Sequence, residues 1–268
     1  MNLNHARLAR FSDWATTLPP RPLPRTVIPV PGEYHLGYIR RLAEASHLEF
    51  LQLAEIASDT AAITLHRGRW EQHQQERLAT LASQPLPRIA RLYWPDPAQS
   101  MRDPEAFRQA LRPACRRCTA RRGITEPVAC HLPPHLTVCR RHQIWIGPSA
   151  RAHAGQLDIS QLPGILRAQR RHLALIRHHQ WWQVDDAISD ATRTIHRALR
   201  AGTWTPSQQQ RLHQLDPGTW HQDTAGTTPG WRYGGPASPA IEIAIYPDII
   251  QLAARNLWAR GTSCHLPA

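Results

Sequence analysis

Residues 113–147 read PACRRCTARRGITEPVACHLPPHLTVCRRHQIWIG, and two pairs of metal-ligating residue types frame the segment. Cys115 and Cys118 form C-x2-C, and Cys139 and His142 form C-x2-H, with twenty residues between the pairs. Two-residue spacing lets both members of a pair turn around one ion, and tetrahedral zinc takes two such pairs. Four protein ligands fill that sphere and leave no position for a reactive water. The spacing therefore predicts one structural Zn2+ per chain and no catalytic metal. Two alternatives compete: Cys130 in place of His142, giving a four-cysteine site, or His131 or His135 in the fourth place. Cys130 follows Val128 and Ala129 and reads better as a small buried hydrophobe. Cys264 stands alone near the C-terminus and reads as an incidental thiol.

Arginines interleave these ligands: Arg112, Arg116, Arg117, Arg121, Arg122, Arg140 and Arg141. They fit either a solvated face or a set of phosphate contacts. The whole chain carries 32 basic against 20 acidic residues, a net charge of +12, and none of the basic residues is lysine. Codon bias toward arginine in GC-rich genomes explains part of that composition. The guanidinium nevertheless keeps its charge and matches phosphate oxygens bidentately, and a surface this positive attracts polyanions, nucleic acid first. Sixteen histidines add charge below neutral pH. Candidate nucleic-acid contacts are Arg116, Arg117, Arg140 and Arg141 beside the ligands, and Arg167, Arg170 and Arg171 further along.

The missing lysine excludes a phosphate-binding P-loop and a Schiff base with pyridoxal phosphate. There is no H-E-x-x-H, and Asp185, Asp186 and Asp190 are spaced like a solvated helix face rather than a magnesium site. An enzyme is therefore not expected. No apolar run approaches the ~20 residues that span a bilayer. The first residues, MNLNHARLARFSDW, lack the apolar core and small-residue cleavage site of a secretory signal. Five cysteines, four of them within 115–139, do not form a disulfide framework. The expectation is a cytoplasmic protein without membrane contact.

Outward from the cysteines the chain reads as mainly helical, in two or three small lobes. Residues 1–32 form an extended Pro-rich segment, in which LPPRPLPRTVIPVPG carries six prolines and Val27, Ile28 and Val30 suit a short strand or strap. Residues 33–112 form a small helical N-terminal lobe. In 34–58, Leu36, Ile39, Leu42 and Ala43 recur at helical spacing with Arg40, Arg41 and Glu44 on other faces, and 48–57 gives a second short helix. Residues 75–92 give two more, broken at Pro85 and Pro87, the second burying Ile89 and Leu92. Such helices suit a helix-turn-helix, or more simply a small bundle. Pro95, Pro97 and Pro104 mark 93–112 as an irregular connector. Residues 113–147 are the central zinc-finger module.

Residues 148–268 form a C-terminal helical bundle, entered through a polar linker over 147–160. Leu162, Ile165, Leu166, Leu173 and Ile176 mark one amphipathic helix, and Val184, Ile188, Ala191, Ile195 and Leu199 a second. Residues 205–215 suit a further helix, and 218–239, rich in Gly, Thr and Pro, a loop. The last helix is expected to start at Pro247, with Asp248 beside the helix dipole and Ile249, Ile250, Ala253 and Leu257 on its core face.

The order of these features resembles the TniQ family: a Pro-rich entry, PVPGEYHLGYIRRLAEASHL, a helical lobe, CRRC, then LTVCRRH. AQRRHLALIRHHQ and YPDIIQLAARNLW are also similar to actinobacterial members. The resemblance spans roughly residues 22–260 and is most specific over 31–48 and 113–145. It departs from the family at Arg116, where many members have Pro, at Cys130, where many have Trp, and in lacking a further zinc pair after the first finger. The resemblance implies a non-catalytic adaptor in DNA transposition, linking a target-recognition module to the AAA+ ATPase that recruits a transposase. It implies Cys115, Cys118, Cys139 and His142 as the zinc ligands. Contact with DNA would be non-specific or through these partners, and a homodimer is allowed. The competing function is a sequence-specific DNA-binding regulator reading DNA with 163–180 or 184–200. What separates the two is whether the protein alone prefers one DNA sequence at physiological salt.

Overall fold

The computed structural model describes residues 19–59, 70–96, 102, 107, 110–215 and 238–262, and they are mainly helical. The expected loop over 218–239 lies almost wholly outside the described residues, as do 1–18, Pro97, Pro104 and Cys264. The chain divides into two compact units, 1–132 and 133–268.

In the first unit the Pro-rich entry runs as irregular extended chain tied to the helices behind it. The Leu23 amide donates to the Leu81 carbonyl at 2.9 Å, and the Tyr38 hydroxyl donates to the Val27 carbonyl at 2.8 Å. Gly32 ends the strap with a φ of +77°, a backbone region open to glycine and strained for other residues. Among the described residues four helices follow: α1 (His35–Ala45), α2 (Phe50–Ser58), α3 (Gln72–Leu81) and α4 (Leu86–Ile89). Leu36, Ile39, Leu42 and Ala43 on α1 are buried, as their spacing predicts, and pack with Leu53, Ala57, Leu78 and Ile89. At the start of α3 the Glu71 amide donates to the Gln74 side chain at 2.8 Å, closing a capping box that stops the helix from fraying.

Arg41 lies off the apolar stripe of α1, as its spacing predicts, yet is not exposed to solvent. It is buried beside Glu33, whose carboxylate accepts Arg41 Nη1 at 2.8 and 2.9 Å and the Val30 amide at 2.9 Å. Arg41 Nε reaches the exposed Glu126 at 3.0 Å. The expected irregular connector also changes character. Of its described residues, Arg102, Phe107 and Ala110 are helical, and Phe107 stacks on Tyr93 and meets Tyr34 edge-on. The first unit closes with β1 (Leu111–Pro113), α5 (Arg116–Ala120) and β2 (Ala129–His131), β1 pairing antiparallel with β2.

The second unit begins with an antiparallel hairpin, β3 (Val138–Cys139) and β4 (Ile144–Trp145). The polar linker expected over 147–160 is instead a packed segment. Ala150 and Ile159 are fully buried, and the Trp145 amide donates to the Leu157 carbonyl while Ile159 donates to Gln143, both at 2.9 Å. Its charges and small residues hid that role, because backbone hydrogen bonds hold it and few apolar side chains, Ala150, Leu157 and Ile159, anchor it. A Cβ at Gly147 would come within 2.4 Å of the Trp145 ring, so the chain leaves β4 against a surface that only glycine fits.

Four helices complete the unit: α6 (Pro163–His178), α7 (Trp181–Arg200), α8 (Pro206–Leu215) and α9 (Pro239–Thr262). α9 packs against each of the other three. Val184, Ala191, Ile195 and Leu199 of α7 join Ile243, Ile249, Ile250 and Ala253 of α9 in one core. The expected start of the last helix at Pro247 is corrected: the helix begins at Pro239, and Pro247 lies inside it. Proline removes one intrahelical hydrogen bond and crowds the preceding turn. Here the turn is buried through Ile243, Ala244, Ile245 and Tyr246, and Arg211 of α8 donates from Nε to the Ala244 carbonyl at 2.6 Å while pairing with Asp248. Core burial and that arginine stabilise a helix through a residue that would otherwise begin one. No helix among the described residues is long and apolar enough to cross a membrane.

Candidate metal centre

Local backbone geometry places each ligand pair on a tight turn. β1 ends two residues before Cys115, and the ladder extends through the Ala114 amide, which donates to the Val128 carbonyl at 2.8 Å. Cys115 caps α5, its carbonyl accepting the amides of Cys118 at 2.8 Å and Thr119 at 3.1 Å. That turn sets the two thiols on one side of the helix start. Cys139 ends β3, and the turn to β4 returns through the His142 amide, which donates to the Cys139 carbonyl at 3.3 Å. Gln143, at a φ of +50°, completes the reversal.

The ligand atoms of Cys115, Cys118, Cys139 and His142 all lie within 4.8 Å of one another, a group that could hold a metal ion. His142 turns Nδ1 toward Cys139 Sγ, at 3.8 Å. Ligands at about 2.0–2.3 Å from a tetrahedral centre stand roughly 3.3–3.8 Å apart, so a contraction of about 1 Å at the widest edge closes a tetrahedron. Cys115 is buried and the other three are half-buried, so an ion there would be largely shielded from water.

The competing ligands are engaged elsewhere. Cys130 is buried in β2 among Val30, Ile124 and Val128, and burial pushes its thiol up to about 12, so it behaves as the small hydrophobe its neighbours predicted. The His131 ring stacks on Tyr93 with centroids 3.9 Å apart. The His135 ring meets His172 edge-on, and its carbonyl accepts Gln169 Nε2 at 2.7 Å.

Of the arginines that interleave the ligands, Arg117, Arg121, Arg122, Arg140 and Arg141 are exposed and Arg116 is half-buried. Arg112 differs from the solvated or phosphate-facing role expected of it. It is fully buried on β1 and donates to the Leu132 carbonyl at 3.0 Å, which makes it part of the sheet's support. Arg167, Arg170 and Arg171 are exposed on α6.

Residues behind the hairpin were not anticipated. Gln169 and His172 of α6 are buried, and with Thr137 and Tyr246 they form a polar group two residues before Cys139. The available signal was their position: Gln169 and His172 fall on the same helical stripe as Ile165, Ala168 and Leu175, where a polar residue needs an internal partner. Burial, reinforced by the charge of His135, lowers the His172 imidazole to about 4.

No protein-family model, curated protein or solved structure matches the chain.

Proposed function

We propose that the chain is a non-catalytic zinc-binding adaptor of the TniQ type, linking target-DNA recognition to a transposon AAA+ ATPase. The observation that carries the metal assignment is the convergence of the four residues of C-x2-C and C-x2-H, with three soft thiolate donors and one imidazole. That donor set suits zinc rather than magnesium or calcium, which take oxygen ligands. One ion per chain would join two turns that are far apart in sequence, and its role is structural because four protein ligands leave no site for water. Support for the adaptor role comes from the order of sequence features that resembles TniQ and from exposed arginines suited to phosphate.

The test of the adaptor role is assembly. Purified zinc-loaded protein should join a transposon AAA+ ATPase on DNA in a nucleotide-dependent complex, read by co-sedimentation. It should neither cleave nor join DNA alone; strand cleavage by the pure protein, lost on substituting one of its carboxylates, would overturn the non-catalytic reading. A regulator would instead show strong preference for one DNA sequence without any partner. The exposed row of arginines on α6 favours keeping that second reading under test.

A further inference from the structure

Three large rings face solvent on the second unit. Trp181 and Trp182, on the first turn of α7, are 70% and 50% exposed, and Trp258, late in α9, is 66% exposed. The His179 ring meets the Trp258 ring edge-on with centroids 6.4 Å apart, which sets the α6–α7 turn beside the end of α9. Leaving rings of this size in water is unfavourable, and grouped exposed aromatics mark a surface that another molecule covers.

A line of positive charge runs into the same end. Arg167, Arg170, Arg171, Arg177 and His178 are all exposed on α6, a helix with no acidic residue. Their spacing confines them to about a third of the helix circumference, over a rise of about 16 Å. Asp185 and Asp186, the acids that follow α6 in sequence, are exposed on α7 one turn beyond the first two tryptophans. They repel phosphate from α7 and leave α6 as the side along which a polyanion backbone can run.

We propose that α6 and these tryptophans form a binding site for single-stranded DNA, in which the arginines hold phosphates and Trp181, Trp182 and Trp258 stack on unpaired bases. Duplex bases are stacked on one another and closed to protein rings, whereas a single strand offers their faces, and aromatic side chains accept any base. This inference rests on the DNA-associated reading above and adds the form of DNA that is bound.

The test uses the full-length zinc-loaded protein, titrated with labelled oligothymidylate and with a duplex of equal length at about 50 mM salt. Oligothymidylate should bind at least about 10-fold more tightly and quench tryptophan emission, since stacking one base is worth roughly 5- to 150-fold in affinity. Its log–log salt slope should be no steeper than about −3, from four arginines at about −0.7 each. Trp181→Ala with Trp182→Ala should remove the single-strand preference and leave duplex binding and the circular dichroism spectrum unchanged. Arg170→Ala with Arg171→Ala should weaken both DNAs. Equal affinity for the two DNAs, or single-strand binding unchanged in the tryptophan variant, overturns the inference and leaves the adaptor reading standing. Tighter binding of oligouridylate than of oligothymidylate overturns the assignment to DNA. Absence of binding to either DNA overturns direct contact altogether, while the adaptor role is decided separately by the ATPase assembly.

Discussion

Gln169 holds Thr137 by two hydrogen bonds, its Oε1 accepting the Thr137 amide at 3.1 Å and the Thr137 hydroxyl at 2.6 Å. Its Nε2 donates to the His135 carbonyl at 2.7 Å. One α6 side chain thus satisfies three polar groups on the segment that leads into β3 and Cys139. Gln169→Leu would keep the volume and strand those groups in the interior. A buried group without its partner costs about 1–3 kcal/mol. The expected outcome is a loss on the order of 3 kcal/mol in chemical denaturation, together with faster release of metal to a chelator. Unchanged stability would show that water or another group replaces the amide.

Metal content follows the four ligands and ignores Cys130, the fourth cysteine of the described residues. Protein purified without chelators should carry about one zinc per chain. Cys118→Ser and Cys139→Ser should each abolish stoichiometric zinc and unfold the segment around residues 113–147, whereas Cys130→Ala should retain the metal. Elemental analysis with circular dichroism reads all three. Zinc lost in the Cys130 variant and kept in the Cys139 variant would reassign the site.

His172 makes stability depend on acid. Its imidazole is buried, with Nδ1 3.0 Å from the Tyr246 hydroxyl, and burial, with the charge of His135, lowers it to about 4 from the usual 6.5. Because the folded value is the lower one, the unfolded chain binds the extra proton across that interval. Stability is therefore full above about pH 6.5 and falls as pH drops toward 4, by up to about 1.4 kcal/mol per unit and on the order of 3 kcal/mol in all. His172→Gln should flatten that part of the profile in denaturation measured from pH 7 to pH 4. An unchanged slope would place the acid sensitivity elsewhere.

The Glu33–Arg41 pair is costly to break from one side. Burial pushes the Glu33 carboxyl up against the pull of the Arg41 guanidinium, so the charged form depends on its partner. Arg41→Ala would leave an uncompensated carboxylate in the interior, and the expected loss is about 3–5 kcal/mol by thermal or chemical denaturation. Glu33→Gln together with Arg41→Met should recover much of that loss, since removing both charges also removes the desolvation penalty. No recovery in the double variant would point to packing rather than charge.

Local patterns determined what the sequence could reveal by itself. C-x2-C and C-x2-H each act within one turn, so spacing alone picked out Cys115, Cys118, Cys139 and His142, and the neighbours Val128 and Ala129 were enough to set Cys130 aside. The stripe Val184, Ala191, Ile195 and Leu199 marked α7 because apolar periodicity is a property of one helix. Tertiary structure decided the remainder, through partners distant in sequence. Arg41 and Arg112 look like surface cations until Glu33 and the Leu132 carbonyl take them inside. Gln169 and His172 interrupt an apolar stripe, and only Thr137 and Tyr246, 32 and 74 residues away, make their burial stable. Pro247 reads as a helix start because the local cost of an interior proline is high. Burial of Ile243 to Tyr246 against neighbouring helices, with Arg211 on the Ala244 carbonyl, offsets that cost and lets α9 run through it.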